Sequence, residues 1–184
     1  MVTKVKKAVV PPGRGKAATL DPALLERALQ EVDYELARRE FRHFLKFVKI
    51  LEPPPGKGII AFEMWPHLTE VCEVLAKERL IVWAKSRQIG ASWIMAAWAL
   101  MQAQFKQGAR VLMFSQGEEE AKVLLGKVKL IHSLLPEALQ SRGGRDTQQE
   151  LEFPDTMSYV KALPSTEKAG RGETATLVVF DEAD

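Results

Sequence analysis

Leu25, Leu29, Val32 and Leu36 recur at helical spacing after Asp21-Pro22, and Phe41, Phe44, Leu45 and Val48 continue the apolar series. Aspartate accepts hydrogen bonds from the free amides of a first turn, and proline is tolerated inside that turn, so Asp21-Pro22 reads as a helix start. The pattern predicts one long helix, or two joined near Arg38-Arg39-Glu40, with the apolar stripe as packing surface. Pro53-Pro54-Pro55-Gly56-Lys57-Gly58 then breaks the chain as a linker or turn. A second helical stretch is predicted over residues 65–78. Residues 80–84 form a short apolar run with strand character, a polar glycine-containing loop follows, and Ser92 begins an apolar helix. Residues 110–114 predict a second strand. Residues 118–135 predict an amphipathic helix whose acids occupy the first turn, where the helix dipole favours them. Residues 151–153 and 157–163, separated by Pro154-Asp155, predict a hairpin or two short strands, and residues 176–180 a last strand buried on both faces.

Strands alternating with helices indicate an α/β fold with a mainly parallel sheet flanked by helices and a helical N-terminal extension. At 184 residues there is room for one domain with a sizeable core. The hydrophobic share of 46% and the charged share of 27% exclude the disordered and fibrous classes. The single cysteine, Cys72, excludes an internal disulfide framework, suits a reducing cytoplasm, and reads as a small buried apolar residue. The apolar run at the start is ended by Pro11, which argues against a secretory signal. The most apolar stretch, residues 91–105, is too short to cross a bilayer, so no membrane is expected. Net charge is only +2, but five cations (Lys4, Lys6, Lys7, Arg14, Lys16) and no acid fall in the first sixteen residues. Residues 1–19 therefore read as a flexible basic tail, residues 20–58 as a helical segment and linker, and residues 59–184 as the α/β part.

The chemistry concentrates at two strand ends. Lys85, Ser86, Arg87, Gln88, Ile89, Gly90, Ala91 and Ser92 have the frame of a phosphate-binding loop, G-x-x-x-x-G-K-[ST], between a strand and a helix. Two positions depart from it: Lys85 stands for the first glycine and Ala91 for the usual lysine. Gly90 lets the backbone approach phosphates, and the helix N-terminus presents free amides to an anion. Ser92 is placed to ligate magnesium, while Lys85 and Arg87 supply the missing positive charge. The second feature, Val178-Val179-Phe180-Asp181-Glu182, is an apolar strand ending in two acids, the Walker B arrangement. Asp181 suits magnesium, and Glu182 suits orienting or deprotonating an attacking water. A plain strand-to-helix turn and a surface pair of acids are the bland alternatives. They lose ground because both features sit in one α/β pattern.

These residues carry a resemblance. The loop from Lys85 to Ser92 resembles the deviant Walker A of the large terminase subunits of tailed bacteriophages, whose lysine sits at the start of the loop. Phe62-Glu63-Met64-Trp65-Pro66 resembles the aromatic-proline segment ahead of that loop. The string from Val111 to Gln116 is similar to the family's second-strand signature. Ala162 to Thr166 with Gly170-Arg171-Gly172 resembles the approach to its Walker B. The likeness runs over residues 41–184 in matching order and spacing. It implies a P-loop NTPase of the RecA/ASCE-like kind, incomplete at its C-terminus, that binds ATP and Mg2+. It further implies phosphate binding by Lys85 and residues 86–91, magnesium binding by Ser92 and Asp181, and catalytic roles for Glu182 (water activation) and Arg87 (charge stabilisation at the γ-phosphate). Phe62, Trp65 and Pro66 would form the adenine pocket, although His67 and Leu68 occupy the place where the family often carries a base-reading glutamine. Arg171 is a candidate arginine finger toward a neighbouring subunit.

The implied partners are double-stranded DNA, a small terminase subunit, the portal protein of the procapsid and further copies in a homo-oligomeric ring, in the cytoplasm of a bacterial host. Related motors continue past this point with further strands, a lid and a nuclease, so little independent hydrolysis is expected of these residues. Two other readings stay open. Asp181-Glu182-Ala183-Asp184 spells the box of a DEAD-type helicase, and a truncated, non-enzymatic remnant would keep the fold without the activity.

Overall fold

The computed structural model describes residues 21–52, 55–84 and 90–181. Helix α1 (Pro22–Arg39) starts as its sequence predicts, with the Ala23 amide donating to Asp21 Oδ1 at 3.0 Å. The two-helix alternative holds: Glu40 is extended, and α2 (Phe41–Leu45) begins after it. Only the later part of the apolar stripe packs. Phe41, Phe44, Leu45 and Val48 are buried, whereas Leu25, Leu29 and Val32 are 47%, 58% and 56% exposed. The expectation of a continuous packing surface is corrected here, because helical period identifies a face without saying what lies opposite it.

The segments on either side of the proline-rich break pair as a hairpin. Strand β1 (Lys49–Glu52) pairs antiparallel with β2 (Gly58–Ala61), and the Lys57 amide closes onto Glu52 Oε2 at 3.0 Å. Helix α3 (Pro66–Lys77) follows, with Pro66 as its first residue. Helix α4 (Ala91–Phe105) is apolar all round and fully enclosed along much of its length: Ile94, Ala96, Ala97, Ala99, Leu100 and Ala103 have no exposed surface. Its alanines let neighbours come close on every side.

A four-stranded sheet has the order β4-β5-β3-β6. Strand β3 (Arg110–Ser115) is central and parallel to both β5 (Ser158–Pro164) and β6 (Leu177–Phe180), while β4 (Glu150–Phe153) is antiparallel to β5. The β4–β5 connection is the expected hairpin, turned through a short 3-10 segment and Met157 at φ 52°. Helix α5 (Glu118–Leu134) carries Glu118, Glu119 and Glu120 in its first turn and packs against α4, β3 and β5. One core cluster runs from Phe44 and Val48 through Leu68 and Ile94 to Leu125, Phe153 and Val179. Cys72 lies in it, 2% exposed, and burial pushes its thiol up to about 11.

Two strand expectations are corrected. Residues 80–84 are not in a strand, and Leu80 and Val82 are 87% and 92% exposed. A strand exists only through its ladder, and no described strand pairs with this run. Strand β6 is buried on one face only: Val179 is covered, while Val178 and Phe180 are 45% and 61% exposed. Among the described strands it is the edge of the sheet, paired on one side only. Among the described residues no helix is long and apolar enough to cross a membrane.

Candidate functional site

Gly90 sits at φ 78°, in the left-handed region, directly before α4. A Cβ there would meet nothing nearer than Leu68 Cδ1 at 3.8 Å, so backbone conformation rather than crowding calls for glycine. Its carbonyl accepts from the Trp93 and Ile94 amides, both at 3.1 Å, which starts the helix. Among the described residues no side chain caps α4. The amides ahead of Trp93 lie at the positive end of the helix dipole, which suits an anion.

Ser92, in that same turn, donates its hydroxyl to Asp181 Oδ2 at 2.5 Å. Asp181 directly follows β6, and its amide donates to Phe114 O at 2.9 Å, extending the β3–β6 ladder by one residue. Its side chain is only 9% exposed. The two motifs, 89 residues apart in sequence, thus meet through one short charge-assisted hydrogen bond. Two hard oxygen donors at a helix N-terminus fit magnesium, which prefers one or two protein oxygens with phosphate and water completing its shell. Among the described residues no cluster of three or more His, Cys, Asp or Glu side chains suggests a closed protein cage for a metal instead.

A recess of about 280 Å³ opens beside Gly90. Phe62 and Trp65 line it, together with Ile50, Ile60 and Leu68. Phe62 is half-buried, with its amide on Val48 O at 2.9 Å, and Trp65 is 43% exposed and tilted against His67. Pro66 serves as the start of α3 rather than as a recess wall. Sequence reasoning missed the hairpin's contribution from Ile50 and Ile60. The signal was there in Lys49-Ile-Leu-Glu and Gly58-Ile-Ile-Ala, four-residue runs flanking a turn.

Arg171 lies on the connection between β5 and β6, where its guanidinium pairs with Glu167 at 3.4 Å and remains 65% exposed. The connection is pinned on either side of it. Gly170, at φ 73°, packs so closely that a Cβ would come within 3.0 Å of Phe114 Cζ. Glu173 accepts from Tyr159 Oη at 3.0 Å and from Lys161 Nζ. Hydrogen bonding from Lys161, then from Tyr159, holds the Glu173 carboxyl below its usual range, and the same bond raises Lys161. This Tyr159–Lys161–Glu173 cluster also escaped the sequence reading, since no local spacing joins its members.

Gly90, Ser92, Asp181, Phe62 and Trp65 are therefore gathered at one end of α4, and Ala91 is buried as its first residue. Lys85, Ser86, Arg87, Gln88, Ile89 and Glu182 lie outside the described residues.

Residues 82–184, more than half of the chain, match the family described as terminase large subunit, T4likevirus-type, N-terminal. No curated protein matches. The fold is similar to that of the large terminase of bacteriophage HK97, with a TM-score of 0.60 and 16% identity over 83% of this chain. The chain spans 30% of that protein's length. The β3-centred sheet, the glycine-led helix α4 and the acid after β6 all fall within the matched residues, and the chain belongs to the family of terminase large subunits, whose N-terminal region it represents.

Proposed function

We propose that this chain is the ATP-binding part of a phage DNA-packaging motor, built on a P-loop NTPase domain. The observation that carries the reading is the Ser92–Asp181 hydrogen bond at the Gly90-led N-terminus of α4. A hydroxyl and a carboxylate held 2.5 Å apart at the helix N-terminus make a ready pair of magnesium ligands next to a phosphate cradle. Lys85 and the backbone of residues 86–91 hold the phosphates, Arg87 steadies charge at the γ-phosphate, and Glu182 orients the attacking water. Magnesium, when bound, neutralises phosphate charge and polarises the phosphoryl oxygens. The recess between Phe62, Trp65 and the β1–β2 hairpin receives the adenine face, its apolar walls suited to a flat ring. Arg171 serves as an arginine finger toward an adjacent subunit once its pairing with Glu167 is exchanged.

In the whole motor, hydrolysis is coupled to translocation of double-stranded DNA. The other partners are the small terminase subunit, the portal protein and further copies in a ring, in the host cytoplasm. The family membership supports the terminase reading of Asp181-Glu182-Ala183-Asp184 over the helicase one.

Filter binding with labelled ATP tests the site. Wild-type protein is expected to retain ATP in a magnesium-dependent way. Lys85→Ala should weaken retention about tenfold or more, equivalent to 1.4 kcal/mol. Asp181→Ala should abolish the dependence on magnesium, so that adding EDTA changes nothing further. Equal retention by wild type and Lys85→Ala would remove the loop as the binding determinant and leave the remnant reading standing.

A further inference from the structure

Residues 21–33 are exposed without exception, so the first three turns of α1 stand off the body for roughly 18 Å at 1.5 Å per residue. Only the helix from Asp33 onward is anchored, through Asp33 beside His43 at 4.0 Å, Tyr34 against Phe47, buried Ala37 and the Arg38 side chain on Ala138 O. This projecting piece is amphipathic and acidic. Leu25, Leu29 and Val32 form its apolar stripe, and residues 21–33 hold four acids against one arginine. An isolated helix of this length is marginal in water, and a stripe of exposed leucine and valine needs cover.

A surface of opposite character lies elsewhere on the same chain. A groove of about 610 Å³ opens between α2, α3 and the C-terminal end of α4. Its floor is aromatic: Phe41 meets Trp98 edge-on at 4.8 Å, and Phe105 lies beside them. Its lining carries five basic residues against two acidic ones. Glu35 engages Arg38 and Arg39. Arg42, Lys77 and Lys106 are exposed and make no ion pair among the described residues.

We propose that the acidic, apolar first half of α1 from one copy of this chain docks in the basic, aromatic-floored groove of a second copy. Leu25, Leu29 and Val32 enter over Phe41, Trp98 and Phe105, and Glu26 and Glu31 meet Arg42, Lys77 and Lys106. This is helix-in-groove recognition between unlike surfaces. The contact is heterologous: each copy offers one helix and one groove, so copies join head to tail into a ring or an open chain. The groove is at the Lys106 end of α4, roughly 22 Å from the Gly90 end, so assembly does not depend on the nucleotide reading.

Sedimentation velocity over a concentration series tests the contact with two variants whose substitutions lie on exposed positions. Leu29→Gln/Val32→Gln strips the helix, and Arg42→Glu/Lys106→Glu reverses the groove; far-UV circular dichroism checks that both fold. Wild-type mass should rise with concentration, and each variant should self-associate about tenfold or more weakly. An equimolar mixture of the two variants should form a pair and stop there, because only one intact helix and one intact groove remain. Wild type that stays monomeric throughout would overturn the proposal, as would a basic N-terminal segment covering the stripe within the same molecule and giving that result. Loss of association in the helix variant alone, with the groove variant unaffected, would mean that α1 pairs with α1 and the groove is uninvolved. A mixture that fails to pair would also overturn it.

Discussion

Met157 holds the β4–β5 turn at φ 52° while its side chain is 77% exposed, so it accepts left-handed strain and gains little packing in return. Left-handed backbone costs an L-residue with a bulky side chain about 1–2 kcal/mol, and asparagine tolerates it better. Met157→Asn keeps the Met157 amide on Pro154 O and should raise stability by about 0.5–1 kcal/mol, read as a shift in the urea midpoint with unchanged slope. An unchanged midpoint would mean that the turn relaxes freely. The strain itself was not visible in the sequence, where Pro154-Asp155 marked a turn without specifying which residue takes positive φ. Gly90 differs in that a glycine ahead of an apolar helix announces its own conformation. Asp21 likewise announced its cap, since the whole interaction spans two residues.

Elements were legible where their limits are set by such local chemistry. Helices α3, α4 and α5 and strands β3, β4 and β5 fall close to their expected places. Residues 80–84 and β6 differ because their state depends on what lies alongside, which composition does not encode. The β5–β6 connection is another case, since Glu173 is tied to side chains twelve and fourteen positions earlier. That tie has a pH signature. Glu173 is held below its ordinary 4.5, so its contribution is in full above that value and disappears as pH falls through the lower folded value. Lys161 is held above its ordinary 10.5, so its contribution is in full below that value and is lost as pH rises through the higher folded one. Lys161→Met should therefore destabilise the protein most between these limits. The difference from wild type should shrink in acid, measured by urea unfolding at a series of pH values. A difference that stays constant into acid would assign the effect to packing of the lysine stem instead.

At the scale of the whole molecule the question is whether the helical segment before residue 58 and the α/β part after it unfold as one body. The sequence suggested a division there because Pro53-Pro54-Pro55-Gly56 reads as a linker. The turn alternative of that reading fits the antiparallel pairing of the flanking β1 and β2, and Phe44, with no exposed surface, packs edge-on to Phe105 at the end of α4. Phe44 and Val48 share their cluster with Ile94, Leu125 and Phe153. Truncating a buried phenylalanine costs about 3–5 kcal/mol, the transfer term plus the cavity left behind. If the core is continuous, Phe44→Ala lowers the stability of everything at once: far-UV circular dichroism and tryptophan fluorescence, which reports from Trp65, Trp83, Trp93 and Trp98 beyond the hairpin, should move to the same lower midpoint. If the segment before residue 58 were a separate body, circular dichroism would lose an early step while the fluorescence transition stayed at its wild-type midpoint. Coincident, equally shifted transitions are expected, because a phenylalanine enclosed by both parts gives neither a surface along which to come apart first.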